Sequence, residues 1–405
     1  MQKIYRCPAC QANMEYMPDT GMMYCAYCGS SYPVEEVSEE REETVAPADQ
    51  GKVKEERTHA TMKMQILTCK ACGAELAVND VEVSSFCAYC GQATVVLDRV
   101  DEYLRPDYVM PFSVAQDRAE QIIREKITAG FYVPNEIKHF EIEKLRGIYV
   151  PFWLYDLYYG DEQFYKYTVK RGKSSVTRYA LRIADCHYHM LTLDASKNLN
   201  DYSSQRLEPY RMDALENFEP MYLSGFYADR FDMGVEDTKD LAVSRAKGMF
   251  DEVVASTVKH SGSKMVYSSP VHKVTDVQYA LLPAWFLTFR NEGLPYTILV
   301  NGQTGKMVGA VPYVKAKAYA TFGILAAILC AMLAPLGGIA TRYVLTDMLA
   351  EEDGFKAVIM YFVFAGLAIW GFWSSAWKKH KAFRKSVELT RSGVTSRFVK
   401  ERQDR

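Results

Sequence analysis

Four Cys-x-x-Cys knuckles near the N-terminus stand in two identically spaced pairs: Cys7 and Cys10 with Cys25 and Cys28, then Cys69 and Cys72 with Cys87 and Cys90. Fourteen residues separate the knuckles of each pair, and the second pair repeats the first at an offset of 62. A Cys-x-x-Cys turn aims two sulfurs at one point, and a hairpin between two such turns brings four into a tetrahedron. That is the ligand set of a closed structural zinc site. Turn residues Pro18-Asp19-Thr20-Gly21 and Asn79-Asp80 divide short apolar stretches in the two copies, as hairpins require. Neither hairpin can bury enough apolar surface to fold alone, so each is expected to need metal, worth on the order of 10 to 16 kcal/mol. The expectation is two zinc ribbons holding two Zn(2+) ions. Disulfides need an oxidising compartment, and no cleavable signal is read before Cys7. A rubredoxin-like iron site uses a wider ligand separation. The two further cysteines, Cys186 and Cys330, read as small buried apolar residues.

Near the C-terminus, residues 319–339 and 357–377 carry no charge. Each run of 21 residues would measure about 31 Å as a helix, enough for a bilayer. Lys315 and Lys317 precede the first run and Lys378, Lys379, Lys381, Arg384 and Lys385 follow the second, while the loop between them is acidic. The positive-inside rule then predicts a transmembrane hairpin with both termini cytosolic. Small-residue stripes such as Gly323-Ala327-Ala331 suit packing against the second span or a neighbouring subunit, leaving a homo-oligomer open.

Residues 35–57 hold nine acids and four bases and read as a solvated tether. Residues 99–315 are rich in aromatic residues and carry an internal repeat: Tyr149-Val150-Pro151-Phe152-Trp153-Leu154 matches Leu281-Leu282-Pro283-Ala284-Trp285-Phe286. Each is preceded by a predicted helix, over about 114–128 (Ala119, Ile122, Ile123, Ile127 inward) and about 238–258 (Leu241, Ala242, Ala246, Met249, Val253 inward). The expected fold class is α+β. Its parts are ribbon 1 (1–34), an acidic linker (35–64), ribbon 2 (65–98), two helix-on-antiparallel-sheet units (99–236 and 237–315), the transmembrane hairpin (316–380) and a basic tail (381–405).

Little in the chain points to catalysis. There is no phosphate-binding loop, dinucleotide fingerprint, Gly-x-Ser-x-Gly or His-Glu-x-x-His. His187 and His189 beside Cys186, and Asp156 and Asp161, read as strand and loop residues, so a non-enzymatic protein is expected. The ribbons invite a nucleic-acid reading, but ribbon 1 is neutral and ribbon 2 has Lys70 against Glu75, Asp80, Glu82 and Asp98. A phosphate-binding surface should be basic. The tail from Lys378 to Arg405, with ten Lys and Arg against three acids, is the basic segment, suited to anionic lipid.

The Cys-Ala-Tyr-Cys-Gly knuckles at 25–29 and 87–91, the Val150–Asp156 and Leu282–Trp285 strands, the Asn301–Lys306 turn and the two apolar runs together resemble bacterial inner-membrane proteins with a transcription-factor-IIB-type zinc ribbon. That resemblance implies a multi-pass inner-membrane scaffold in an envelope-stress module, acting with SPFH-domain and phage-shock-type proteins. Two ribbons depart from the common layout. The alternatives are a membrane-tethered nucleic-acid-binding protein and an enzyme using His187, His189 or Asp156.

Overall fold

The computed structural model describes residues 5–37, 61–71, 73–78, 95–129, 132–138, 145–172, 174–197, 201–260, 262–291 and 294–309, with Cys87, Tyr89, Leu199 and scattered positions from 314 to 381. Ribbon 1 supplies β1 (Glu15–Met17), β2 (Met22–Tyr24), β3 (Ser31–Pro33) and one turn of helix, α1 (Val34–Val37). There follow β4 (Thr61–Cys69), β5 (Glu75–Val78), β6 (Val95–Leu104), β7 (Tyr108–Val109), α2 (Gln116–Thr128) and α3 (Asn135–Lys138). The long hairpin β8 (Leu145–Arg171) and β9 (Ser174–Asp194) precedes α4 (Asp201–Leu207), β10 (Glu216–Asn217), β11 (Tyr227–Asp229) and α5 (Val235–Ser256). The chain then forms β12 (Lys264–Ser268), β13 (Val271–Asn291), β14 (Leu294–Asn301) and β15 (Met307–Val308).

β1, β2 and β3 form a sheet of their own, and the other twelve strands join one mixed sheet. Its centre is the antiparallel pair β8 and β13, flanked by β9 on one side and β14 on the other. The repeated motifs lie 132 residues apart in the chain, Pro151 against Pro283. In the sheet Val150, the residue before the first proline, pairs with Leu282, the residue before the second. Equivalent residues meet there, so a local dyad passes through that pair.

The outer edges obey the same dyad. β11 runs parallel to β8 at Ile148 and Tyr149, and β7 runs parallel to β13 at the equivalent Ala280 and Leu281. Beyond them, Phe152 pairs with Asp194 of β9 and Ala284 pairs with Asn301 of β14. The leader of α2 therefore docks on the β13–β14 hairpin, and the leader of α5 on the β8–β9 hairpin. Ser113 and Val114 N–H donate to Gly302 O at 2.9 and 2.8 Å, while Asp232 and Met233 N–H donate to Ala195 O at 3.0 and 3.1 Å. Trp285 Nε1 donates to Val114 O, and Trp153 Nε1 to Met233 O, each at 2.8 Å. Phe112 meets the Trp285 ring at 5.1 Å and Phe231 meets Trp153 at 5.3 Å, both edge-on.

Alternation along the two central strands divides the core into two faces. Tyr149, Trp153, Tyr155, Tyr279, Leu281 and Trp285 join α2, α5 and ribbon 1 on one face. Ile148, Val150, Phe152, Leu282, Ala284 and Phe286 join Cys69, Cys87, Tyr89 and Tyr210 on the other. Each valine, leucine, isoleucine or phenylalanine side chain fully buried there contributes roughly 1.5 to 3 kcal/mol. Burial on both faces gives these strands their unbroken apolar runs.

Several expectations are corrected. The chain does not follow the expected α+β plan: among the described residues strands predominate, and twelve of them share one sheet rather than two side-by-side units. The C-terminal transmembrane hairpin, and with it a multi-pass inner-membrane location with cytosolic termini, is not supported. Among the described residues no helix is long and apolar enough to cross a membrane. The longest described helix, α5, carries Glu236, Asp237, Lys239, Arg245 and Asp251 and uses its apolar residues on the sheet. An uncharged run of the right length permits a span but does not by itself make one. Most of 319–339 and 357–377, the acidic tether beyond Val37 and the basic tail from 382 lie outside the described residues.

The inward face of α5 is also rotated. Thr238, Ala242, Ala246, Phe250 and Val254 are buried, while Leu241, Met249 and Val253 are exposed. Tyr188, whose hydroxyl donates to Ala246 O at 3.0 Å, and Tyr155, bonded to Thr238 Oγ1 at 2.8 Å, fix that rotation.

Candidate metal centre

Ribbon 1 is an antiparallel hairpin with a sulfur-bearing turn at each side of its open end. Gly21, with φ at +69°, closes the β1–β2 turn, where its N–H donates to Met17 O at 2.9 Å. The first knuckle is shaped by Cys7 N–H to Ala12 O and Gln11 N–H to Cys7 O, both 2.8 Å. The second repeats it with Cys25 N–H to Ser30 O and Gly29 N–H to Cys25 O, both 2.9 Å. Gln11 and Gly29 adopt the same left-handed conformation at φ +63° and +74°. Glycine enters it without strain, whereas Gln11 must be held there.

These turns bring Cys7, Cys10, Cys25 and Cys28 together with all four sulfurs within 4.8 Å of one another. Cys7 and Cys28 Sγ lie 3.5 Å apart, as do Cys10 and Cys25 Sγ. Zinc bonded at about 2.3 Å in a tetrahedron separates sulfurs by roughly 3.8 Å, so the cluster fits one zinc ion with a small expansion. The sulfurs form no disulfide. Hydrogen bonding with Ser30, through its side chain and its backbone, holds the Cys28 thiol down at about 6. Cys10 is pushed up to about 12: a backbone bond at Ala12 lowers it, but burial and the neighbouring thiols outweigh that. Four crowded thiols cannot all ionise unaided, and a divalent cation removes the conflict.

Ribbon 2 begins the same way. Cys69 N–H donates to Ala74 O at 2.9 Å, Gly73 N–H donates to Cys69 O at 2.7 Å, and Gly73 has φ +74°. Cys69 and Cys87 are both buried. Cys72, Cys90 and the expected Asn79-Asp80 turn lie outside the described residues. Unlike ribbon 1, this unit is built into the large sheet: β4 pairs with β5 and β6, and β5 with β11.

The two ribbons dock on opposite faces of that sheet. Ribbon 1 buries Met14, Tyr16 and Met23, with Tyr16 edge-on to Tyr222 at 5.3 Å. Ribbon 2 inserts Tyr89 edge-on to Phe286 at 5.4 Å, and Thr288 Oγ1 donates to Tyr89 O at 3.3 Å. Tyr27, which occupies the same place in the other Cys-Ala-Tyr-Cys-Gly knuckle, is 84% exposed where Tyr89 is 6% exposed. Reading the sequence singled out neither tyrosine; the identical pentapeptides are the signal that could have done so.

The other candidates serve the sheet. Asp156 accepts from Met190 N–H at 2.7 Å and lies 3.0 Å from His189 Nδ1, bracing a bulge at which Met190 has φ +50°. Asp161 is buried and accepts from Ser268 Oγ at 2.6 Å and Ser269 N–H at 2.7 Å, joining the β8 and β12 strands. His187 lies against Tyr158, and Cys186 is half-buried on the α5 side.

No family model matches this chain, and no solved structure matches it. It is similar to the uncharacterized protein YdjG of Bacillus subtilis (strain 168), with 28% identity over 338 residues that cover 80% of this chain and 94% of that protein.

Proposed function

We propose that this chain is a non-enzymatic zinc-ribbon adaptor, in which metal closes the ribbons and the large sheet holds them as a platform for protein partners. The observation that carries the reading is the Cys7, Cys10, Cys25 and Cys28 cluster, whose knuckle tips carry Pro8, Ala9, Ala26 and Tyr27, all exposed and uncharged. Zinc there would supply the fold energy that a hairpin of three-residue strands lacks. A second ion on Cys69, Cys72, Cys87 and Cys90 belongs to the same proposal, supported by the repeated knuckle geometry at Cys69. SPFH-domain and phage-shock-type proteins, with a role in stress response, are the partners the family resemblance implies and the first to test.

Co-purification of the full-length chain at native expression, with a nuclease-treated control, tests the reading. Protein partners that survive nuclease and disappear on replacing Cys7 and Cys10 are expected. Recovery of the chain alone would overturn it. Recovery that collapses with nuclease would instead support the nucleic-acid reading, which rests on the ribbon fold and is opposed by the neutral charge of ribbon 1.

A further inference from the structure

The chain contains the same pentapeptide twice, once seated and once exposed. The seated copy shows what a Cys-Ala-Tyr-Cys-Gly knuckle fits: Tyr89 lies edge-on to Phe286, and Thr288, two residues along β13 and on the same face, donates its hydroxyl to the Tyr89 carbonyl. Burial of an aromatic ring against a second ring in an edge-on arrangement is favourable beyond the area it covers. In ribbon 1 the side that meets the body is the hairpin, through Tyr16 and Tyr222. That leaves the metal-proximal end with Tyr27 exposed beside Pro8, Ala9 and Ala26.

We infer that Tyr27 is the docking side chain of ribbon 1, and that its partner is a different protein presenting an aromatic ring and a hydroxyl side by side on a β-sheet surface. The inference rests on the adaptor reading above and names the surface through which it works. A second copy of this chain is a poor occupant, because its own Tyr89 already fills the Phe286 seat. Nucleic acid is also disfavoured: neither knuckle tip carries Lys, Arg or His, and the nearby Arg6 donates to Gln11 O at 3.1 Å. Stacking of bases on a protein ring works together with a positively charged groove. An exposed aromatic ring framed by small apolar residues, with no charge among them, is instead the composition of a protein interface core.

The experiment places a photo-crosslinking benzoylphenylalanine at residue 27 of the full-length chain in its own cells, with the same residue at Thr20 and at Tyr89 as controls. The expected result is one predominant product at 27, insensitive to nuclease, joined to a strand residue next to an aromatic ring on a different polypeptide. Position 20 should give none, and position 89 only intramolecular products on β13. A Tyr27→Asp variant should keep the metal content and melting temperature of the parent and lose co-purification of that polypeptide by tenfold or more. Absence of a product at 27, products onto a second copy, loss on nuclease treatment, or equal yield at 20 would each overturn the inference. If Tyr27→Asp retains the partner undiminished, the docking side chain is refuted while the adaptor reading stands; if neither chain retains a protein, both fall.

Discussion

Ribbon 1 and ribbon 2 share a spacing and a pentapeptide, yet the surrounding chain uses them differently. Ribbon 2 is sheet: its first knuckle is the tip of the β4–β5 hairpin, and its tyrosine lies in the core against Phe286. Ribbon 1 is an appended three-stranded unit whose metal-proximal tyrosine meets water. The lesson is that cysteine spacing specifies the knuckles alone, while the residues around them decide whether the unit joins the core or stands apart from it.

The strongest test of that contrast removes the ligands. Cys7→Ser with Cys10→Ser should release one zinc equivalent and unfold ribbon 1, forfeiting on the order of 10 kcal/mol of metal-linked folding energy, while the main calorimetric transition persists. Cys69→Ser with Cys72→Ser should lower the main transition itself, because β4 and β5 are part of the large sheet. Equal effects from the two pairs would break the comparison.

The two regions should also fail at opposite ends of the pH range. Burial raises the phenols of Tyr89, Tyr149, Tyr210 and Tyr279 well above their ordinary value near 10. Folded chains then hold protons that unfolded chains release, so this stability is intact below about pH 10 and is lost as the pH rises beyond it. In ribbon 1 a metal on the four sulfurs needs thiolates, so protons compete with it at every ligand and zinc should leave as the pH falls into the acid range. Far-UV dichroism in alkali and a zinc indicator in acid separate the two; coincident loss in either direction would refute the division.

Smaller effects sharpen it. Tyr89→Ala should cost about 3 to 5 kcal/mol in denaturant unfolding, as for other buried aromatics. Tyr27→Ala should stay within about 0.5 kcal/mol. Trp153→Phe and Trp285→Phe each leave a carbonyl, Met233 O or Val114 O, without its indole donor. Each should cost roughly 1 to 3 kcal/mol. Losses that differ by more than about 1 kcal/mol would show that the dyad is geometric but not energetic.

The sulfur geometry of ribbon 1 was legible because two residues between cysteines leave the backbone few ways to aim both thiols. Helix α2 was legible too, since Ala119, Ile123 and Ile127 recur at helical spacing and lie buried along it. What the sequence concealed was pairing. Asp161 reads as a loop residue, yet β8 runs unbroken through it, paired with β9 along one edge and with β13 and then β12 along the other. Helix and following strands looked like one unit, but which hairpin a helix leader joins is decided by contacts such as Val114 with Gly302, invisible to any local pattern. Tyr27 and Tyr89 are identical in local sequence, and only Phe286, far along the chain, distinguishes them.

The exchange of leaders between repeats sets a timetable for the nascent chain. Ribbon 1 can close once Cys28 has emerged, but Ser113 and Val114 must wait for Gly302 before their amides find acceptors. At ~5–20 residues per second that interval is roughly 10 to 40 s. Throughout it the leader of α2 lacks the turn that receives it, so the first half of this protein is synthesised as one side of a clasp whose other side does not yet exist.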